Sequence, residues 1–192
     1  MSLLIGNARA PLVDRKDDLY ETPPVATEAL LRVEWLPHYI WEPAAGRGAI
    51  VKVLREAGHE VIGSDLVDYD EPTHFHRRDF LMERKAPDKC QAIVTNPPFK
   101  LGDQFVSHAL SLCPLVIMLF RLAFLESEKR REILDGGQLA RVHVFRKRLP
   151  MMHRDGWTGN KTGSSMAFAW FVWDRAHSGS TTINRISWES AA

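Results

Sequence analysis

Short apolar segments with strand character alternate with amphipathic helical segments along this sequence. The run at 115–120 (LVIMLF) is apolar throughout, as expected for a strand that is buried on both faces of a sheet. The predicted strands are 38–41, 60–64, 92–95, 115–120, 141–145 and 166–173. The predicted helices are 27–34 with Thr27 as its N-cap, 49–57 ended by Gly58, 103–112 and 126–134. This alternation favours an α/β fold with a mainly parallel central sheet.

The chain has the size and composition of one globular domain. Of its 192 residues, 45% are hydrophobic and 26% are charged, which excludes a disordered chain. We predict a single domain over 1–192, with an N-terminal extension at 1–18 and a tail at 175–192. Within that tail, Ile183, Ile186 and Trp188 are candidates for a last packing element. Neither a signal peptide nor a membrane-spanning segment is predicted, and we expect a cytoplasmic protein.

Several conspicuous side chains are interpreted as structural. Cys90 and Cys113 are too few for a disulfide framework or a structural zinc site, so we expect small core hydrophobes in a reducing compartment. Trp170 and Trp173 lie in an apolar strand and are assigned to the core. The pair His74 and His76 has no cluster of further ligands around it, so surface histidines are expected and no metal site is predicted.

A glycine-rich turn separates the first predicted strand from the second predicted helix. It reads Glu42-Pro43-Ala44-Ala45-Gly46-Arg47-Gly48. The two glycines let the backbone approach a ligand, and the following helix offers N–H donors. Asp65 ends the next strand, where a carboxylate usually accepts hydrogen bonds from ribose hydroxyls. Together these features indicate a cofactor that contains adenosine.

The details of the turn distinguish between cofactors. The dinucleotide fingerprint requires a third glycine, and Val51 stands at that position. Glu42 would repel a pyrophosphate but would attract the ammonium group of an amino acid. No Gly-Lys-Ser/Thr follows, which excludes a phosphate-binding P-loop. The turn therefore favours S-adenosylmethionine over NAD.

The turn Asn96-Pro97-Pro98-Phe99 follows the strand at 92–95 and is the most specific signal in the sequence. The two prolines fix the backbone and remove two N–H donors, and Pro97 restricts Asn96 to an extended conformation. The turn therefore presents hydrogen-bond acceptors beside an aromatic ring. That arrangement suits a planar group that carries an NH2 group.

Such a group needs activation before it can accept a methyl group. The lone pair of an exocyclic amine is delocalised into its ring, which makes the nitrogen a weak nucleophile. Hydrogen bonds accepted from both amine hydrogens would localise the lone pair on the nitrogen, in line for attack on the methyl group of a sulfonium. No strong base is required, because the nitrogen loses its proton as it becomes positively charged.

A basic segment precedes and enters the predicted loop at 146–165. Between Arg141 and Lys161 there are six basic residues and one acid, Asp155. Basic side chains with an aromatic residue suit phosphate contacts and base stacking. The candidate nucleic-acid-binding residues are Arg146, Lys147, Arg148, Arg154, Trp157 and Lys161. Arg121, at the end of a buried strand, is left open between a phosphate contact and a structural ion pair.

These motifs together resemble the amino-methyltransferases that modify exocyclic nitrogens, most closely the N6-adenine DNA methyltransferases, over about residues 19–174. In this resemblance Tyr20, Thr22 and Pro23 match the N-terminal cofactor motif. The segment from Glu42 through Pro43, Ala44 and Gly46 to Gly48 matches the glycine-rich motif. Asp65, with Leu66 beside it, matches the ribose-binding acid, and Asp79 and Phe80 match the pair that flanks the cofactor adenine. Asn96, Pro97, Pro98 and Phe99 match the catalytic motif.

The resemblance implies a Rossmann-like class I methyltransferase fold. Its seven-stranded, mainly parallel sheet would have helices on both faces and one antiparallel strand, at 166–173. The loop at 146–165 would close over a target base flipped out of its stack. Asn96 and the Pro97 carbonyl would hold the amine while Phe99 stacks on the base.

The resemblance implies methylation of adenine N6 in DNA with S-adenosylmethionine as the cofactor. Relatives with a defined recognition sequence usually have a separate target-recognition domain, and we expect no segment of this sequence to serve as one. We therefore hypothesise a minimal enzyme of low sequence specificity, of the kind found in phages and prophages. The alternatives are cytosine N4, an RNA base, a glutamine amide in a protein, or a non-catalytic module that binds the cofactor or DNA.

Overall fold

The computed structural model describes residues 21–69, 76–150 and 166–189. The strands are β1 (Tyr39–Glu42), β2 (Glu60–Asp65), β3 (His76–Arg77), β4 (Ala92–Thr95), β5 (Leu115–Arg121), β6 (Leu139–Phe145), β7 (Phe168–Asp174) and β8 (Thr182–Ile186). The helices are α1 (Pro24–Leu31), α2 (Ala49–Glu56), α3 (Gly102–Leu112) and α4 (Arg131–Asp135). Short 3-10 turns lie at Phe80–Met82, Phe99–Leu101, Leu122–Leu125 and Glu128–Arg130.

All eight strands join one sheet in the order β3-β2-β1-β4-β5-β7-β6-β8. Every described pairing is parallel except those of β7, which runs antiparallel to both β5 and β6. The α/β fold and its antiparallel strand are therefore confirmed. The strand count is eight instead of seven, because β8 in the tail pairs with β6.

Two hydrophobic cores form on the two faces of the sheet, as strands with apolar residues on both sides require. α1 and α2 cover one face, where Leu30 and Leu54 pack with Ile117 and Trp170. α3 covers the other face, where Phe105 packs among residues that include Phe120, Phe171 and Trp173. Trp170 and Trp173 are fully buried, so their assignment to the core is confirmed. The same indole groups donate hydrogen bonds to the carbonyls of Ala26 and Ile133, which satisfies their N–H groups.

The start of α1 differs from the sequence prediction. The helix begins at Pro24, and the extended Pro23 stands at the N-cap position, so Thr27 lies inside the helix. Proline is favoured at the first helical position because its missing N–H would have no partner within the helix. The predicted cap at Thr27 is therefore wrong. The end of α2 agrees with the prediction, since Gly58 follows it with a φ of 92°.

The predicted helix at 126–134 is only partly formed. A 3-10 turn at Glu128–Arg130 leads into the short α4, and Ser127 is extended in front of it. Arg130 accounts for the irregular start, because its guanidinium reaches back to Asp103 at 2.6 Å and to the Phe124 carbonyl at 3.0 Å.

Cys113 is buried and Cys90 is half-buried, and neither forms a disulfide. Their sulfur atoms lie 3.8 Å apart at the amino-terminal edge of the sheet. None of the helices in the described part of the chain is both long enough and apolar enough to cross a membrane.

The eighth strand offers a test of the fold. Ile186 is 4% exposed and packs in the core that α1 and α2 cover, whereas Ile183 on the same strand is 66% exposed. We expect Ile186→Ala to lower the free energy of unfolding by about 2–5 kcal/mol, because it leaves a cavity. The matched variant Ile183→Ala should change it by less than about 0.5 kcal/mol. Urea unfolding measures both, and equal effects would contradict the placement of β8.

Candidate active site

The carboxyl ends of β1, β2 and β4 open into one cavity. Because these strands are parallel, the residues that follow them meet at one edge of the sheet. Thirteen of the residues singled out in the sequence line this cavity. They are Thr22, Glu42, Pro43, Ala44, Gly46, Asp65, Leu66, Asp79, Phe80, Asn96, Pro97, Pro98 and Phe99. Pro23 and Gly48 lie next to it without lining it, and Tyr20 falls outside the described residues.

The glycine-rich turn is fixed to the end of β2. Asp65 Oδ2 accepts a hydrogen bond from the Gly46 N–H at 2.8 Å, and Asp65 Oδ1 accepts one from the Val67 N–H at 3.0 Å. Gly46 and Gly48 have φ values of 52° and 80°, a region that side chains other than glycine rarely adopt. The carboxylate of Asp65 therefore shapes the turn.

Glu42 is a buried carboxyl group at the end of β1. It is 2% exposed, and its Oε2 has no hydrogen-bond partner among the described residues. Burial raises the pKa of Glu42 well above its ordinary value, and the nearby charge of Asp65 raises it further. A hydrogen bond from the Val51 backbone only partly opposes these effects. A cationic group in the cavity would supply the missing partner and favour the ionised form.

Thr22 and Asn96 form a contact that orients the turn at 96–99. Asn96 Nδ2 donates a hydrogen bond to Thr22 Oγ1 at 3.0 Å, and Thr22 is 4% exposed. The bond joins residues far apart in sequence and directs the amide oxygen of Asn96 away from Thr22. Thr22 was predicted to bind the cofactor, and the structure gives it this second contact. After Pro98 the chain enters the 3-10 turn Phe99–Leu101 and then α3.

Phe99 contacts two residues that the sequence did not connect with it. The guanidinium carbon of Arg121 lies 4.7 Å from the centre of the Phe99 ring, and the ring centre of Phe168 lies 6.0 Å from it. Arg121 and Phe168 are direct cross-strand partners of β5 and β7. The antiparallel β7 therefore helps to build the site, which only the sheet order reveals.

Asp79 and Phe80 have clear structural roles beside the cavity. Asp79 Oδ1 accepts a hydrogen bond from the Leu81 N–H at 3.0 Å and so caps a 3-10 turn. Phe80 is 2% exposed and packs edge-on against Trp41 with ring centres 5.2 Å apart. Because this packing fixes the Phe80 ring, the ring forms a rigid part of the cavity wall.

Arg47 is a lining residue that the sequence contained but that was not singled out. It stands between the two glycines of the turn, and its guanidinium lies 5.9 Å from the centre of the Tyr69 ring. Its position within the glycine-rich turn could have identified it as a lining residue. Tyr69 gave no comparable signal, because it belongs to no motif.

The basic segment begins on the same edge of the sheet as the cavity. β6 runs in the same direction as β5, since both pair antiparallel with β7, so Arg146, Lys147 and Arg148 follow its carboxyl end. All three are exposed, and Lys147 Nζ forms an ion pair with Glu189 Oε1 at 2.7 Å. Arg154, Trp157 and Lys161 fall outside the described residues, as do His74 and most of the predicted closing loop.

Three solved structures share this architecture. A proposed RNA methyltransferase from Pyrococcus horikoshii matches with a TM-score of 0.61 and 15% identity, over 86% of this chain and 91% of that one. A proposed class I S-adenosylmethionine-dependent methyltransferase from Listeria monocytogenes matches with a TM-score of 0.58 and 11% identity, over 84% and 62%. The modification subunit of a proposed type I restriction enzyme from Vibrio vulnificus matches with a TM-score of 0.60 and 12% identity, over 90% and 48%.

The chain thus has the Rossmann-like fold of class I methyltransferases and spans under half the length of the restriction-system subunit. No protein-family model and no curated protein matches the sequence.

Glu42 makes the stability of the ligand-free protein depend on pH. Its raised pKa means that the folded state retains a proton at pH values where the unfolded state has lost it. The free energy of unfolding therefore falls as pH rises from the ordinary glutamate range towards the raised pKa. We expect Glu42→Gln to be more stable than the wild type, by a margin that grows with pH across this window.

Urea unfolding between about pH 5 and pH 8.5 measures this margin. Glu56→Gln, at the exposed end of α2, is the control and should show no such growth. A margin for Glu42→Gln that stays constant or shrinks as pH rises would contradict the assignment.

Proposed function

We propose that this chain is a single-domain, S-adenosylmethionine-dependent methyltransferase that acts on the N6 amine of adenine in DNA with low sequence specificity. The observation that carries the proposal is the shared cavity. The Asn96 amide, oriented by Thr22, lies in the same cavity as the buried Glu42 carboxyl group and the glycine turn. One part of the cavity suits an amino-acid cofactor, and the adjoining part suits a planar amine.

The residues present fit S-adenosylmethionine. The Oε2 atom of Glu42, which is buried and has no hydrogen-bond partner among the described residues, would receive the ammonium group of the cofactor. Asp65 would accept hydrogen bonds from the ribose, and Asp79 with Phe80 would flank the adenine. When bound, the cofactor supplies a methyl group on a positively charged sulfur. A pyrophosphate cofactor fits less well, because it would bring no cationic group to the buried Glu42 carboxyl.

The catalytic turn would bind and activate the target amine. Asn96 Oδ1 and the Pro97 carbonyl would accept its two N–H groups, and Phe99 would stack on the ring that bears it. These hydrogen bonds localise the lone pair on the nitrogen. The nitrogen would then bond to the methyl carbon as the carbon–sulfur bond breaks and its electron pair stays on sulfur. The methylated nitrogen would release a proton to water, so the turn needs no basic side chain.

Nucleic acid is the favoured substrate because the exposed Arg146 and Arg148 stand on the same edge of the sheet as the cavity. The likeness to a restriction-system modification subunit adds support for DNA. In the described part of the chain every strand belongs to one sheet, and we infer low sequence specificity from this simple architecture.

Transfer of a labelled methyl group from S-adenosylmethionine to double-stranded DNA, single-stranded DNA and RNA tests the proposal. We expect N6-methyladenine in DNA at many sequence contexts. Asn96→Ala should lower the rate at least about 100-fold, by analogy with the loss of one positioned hydrogen-bonding group from an active site. It should retain cofactor binding, since Glu42 and Asp65 are unchanged. Absence of N6-methyladenine from every substrate would refute the proposal.

Cofactor binding should depend on the ionisation of Glu42. Because burial raises the pKa of the free Glu42 carboxyl group, binding of an ammonium group should release a proton at pH values below that raised pKa. We expect affinity for S-adenosylmethionine to rise with pH up to about pH 7.5, above which the amino group of the cofactor itself begins to lose its charge. Calorimetry in two buffers of different ionisation enthalpy measures the released proton.

Glu42→Gln should weaken cofactor binding and abolish the proton release, although it stabilises the free protein. Glu56→Gln should leave both unchanged. Proton release that persists in Glu42→Gln would show that another group responds to the cofactor.

A further inference from the structure

Arg121 occupies a position at the rim of the catalytic turn that the proposed chemistry does not use. It is the last residue of β5, and its side chain is exposed. Its guanidinium group stands over the ring of Phe99, 4.7 Å from the ring centre. Two contacts to β7 and the residue before it fix the backbone at Arg121. Arg121 pairs with Phe168 in the sheet, and the N–H of Leu122 donates a hydrogen bond to the Ala167 carbonyl at 2.8 Å.

The contact of Arg121 is with an aromatic ring and not with an acid. Within residues 21–69, 76–150 and 166–189, no carboxylate lies within ion-pair distance of its guanidinium. When a guanidinium group stacks on a ring, its N–H donors point outward in the guanidinium plane. They therefore remain available to a second partner. The structural ion pair that the sequence left open is therefore not formed by the described residues.

A second exposed cation lies next to Phe99 in the chain. Lys100 directly follows Phe99 in the 3-10 turn and is exposed, and no described carboxylate pairs with it. The nearby acid Asp103 is already neutralised by Arg130, whose Nε lies 2.6 Å from its carboxylate. Two exposed cations, Arg121 and Lys100, therefore lie close to the catalytic turn without a described acidic partner.

We propose that Arg121, assisted by Lys100, binds the phosphodiester backbone next to the base that enters the cavity. A base stacked on Phe99 has its sugar and phosphates outside the cavity, beside this rim. Guanidinium groups bind phosphate oxygens through paired, charge-assisted hydrogen bonds. The inference rests on the proposed function and narrows its substrate class to a polynucleotide. A glutamine side chain in a protein would offer this cation no anion.

The test uses a single-adenine oligonucleotide made in two forms. One form has ordinary phosphodiester linkages, and the other has neutral methylphosphonates on both sides of the adenine. We expect Arg121→Gln to raise the KM for the ordinary form roughly 10-fold or more, as expected for loss of a charged hydrogen bond. It should have little effect on the methylphosphonate form, which has no charge to lose. Arg121→Lys should recover part of the difference.

Binding measured by fluorescence anisotropy gives a readout that does not require catalysis. Arg121→Gln and Lys100→Gln should each weaken binding of the ordinary oligonucleotide and reduce its salt dependence by about one phosphate contact. Lys89→Gln is the matched control, because Lys89 lies beside Tyr39 at the opposite edge of the sheet. All variants should bind S-adenosylmethionine with wild-type affinity, which verifies that they are folded.

The outcomes separate the two proposals. If the wild type methylates the oligonucleotide and Arg121→Gln affects both forms equally, Arg121 only positions Phe99 and the phosphate site is refuted. If Arg121→Gln affects neither form, the inference fails while the proposed function stands. If the wild type methylates a glutamine-containing peptide but no oligonucleotide, the proposed function fails first.

Discussion

The site depends on the parallel alignment of β1, β2, β4 and β5. Parallel strands end at one edge of the sheet, and the side chains that follow β1, β2 and β4 therefore face one cavity. Asp65 strengthens the arrangement, because its carboxylate accepts the N–H groups of Gly46 and Val67 and so fixes the glycine turn to the end of β2. The cavity is thus shaped by bonds that exist without a ligand.

Local patterns predicted the elements well, whereas contacts between distant segments were not predictable. The strand at 92–95 and its Asn96-Pro97 ending agree with the structure, since β-branched residues followed by prolines leave few alternatives. The start of α1 was misplaced because Pro24 at the first helical position outweighs a threonine cap. The bond from Asn96 to Thr22 and the contact of Arg121 with Phe99 depend on the order of strands in the sheet. β3 has only two residues, too few for a periodic signal.

Glu42 shows how stability and binding oppose each other at this site. A buried carboxyl group without a cationic partner destabilises the free protein when it ionises, which is why its pKa is raised. The same lack of a partner would favour ligands with an ammonium group over neutral or anionic ligands, because the ammonium group would supply the cationic partner that Glu42 lacks. In a protein that binds no such ligand, glutamine at position 42 would give a more stable fold than glutamate. The burial of Glu42 is therefore itself an argument for a cationic ligand.

The charges around the cavity divide it into two regions. The carboxyl groups of Glu42 and Asp65 lie at the ends of β1 and β2, whereas the cations Lys100, Arg121, Arg146 and Arg148 lie at or just after the ends of β4, β5 and β6 on the same edge. The second region would attract a polyanion. In the proposed function, a nucleic-acid backbone would lie against this region while a base reaches Phe99. The net charge of +1 does not reveal that carboxyl groups and cations lie at different strands of this edge, because that distribution depends on the order of the strands in the sheet.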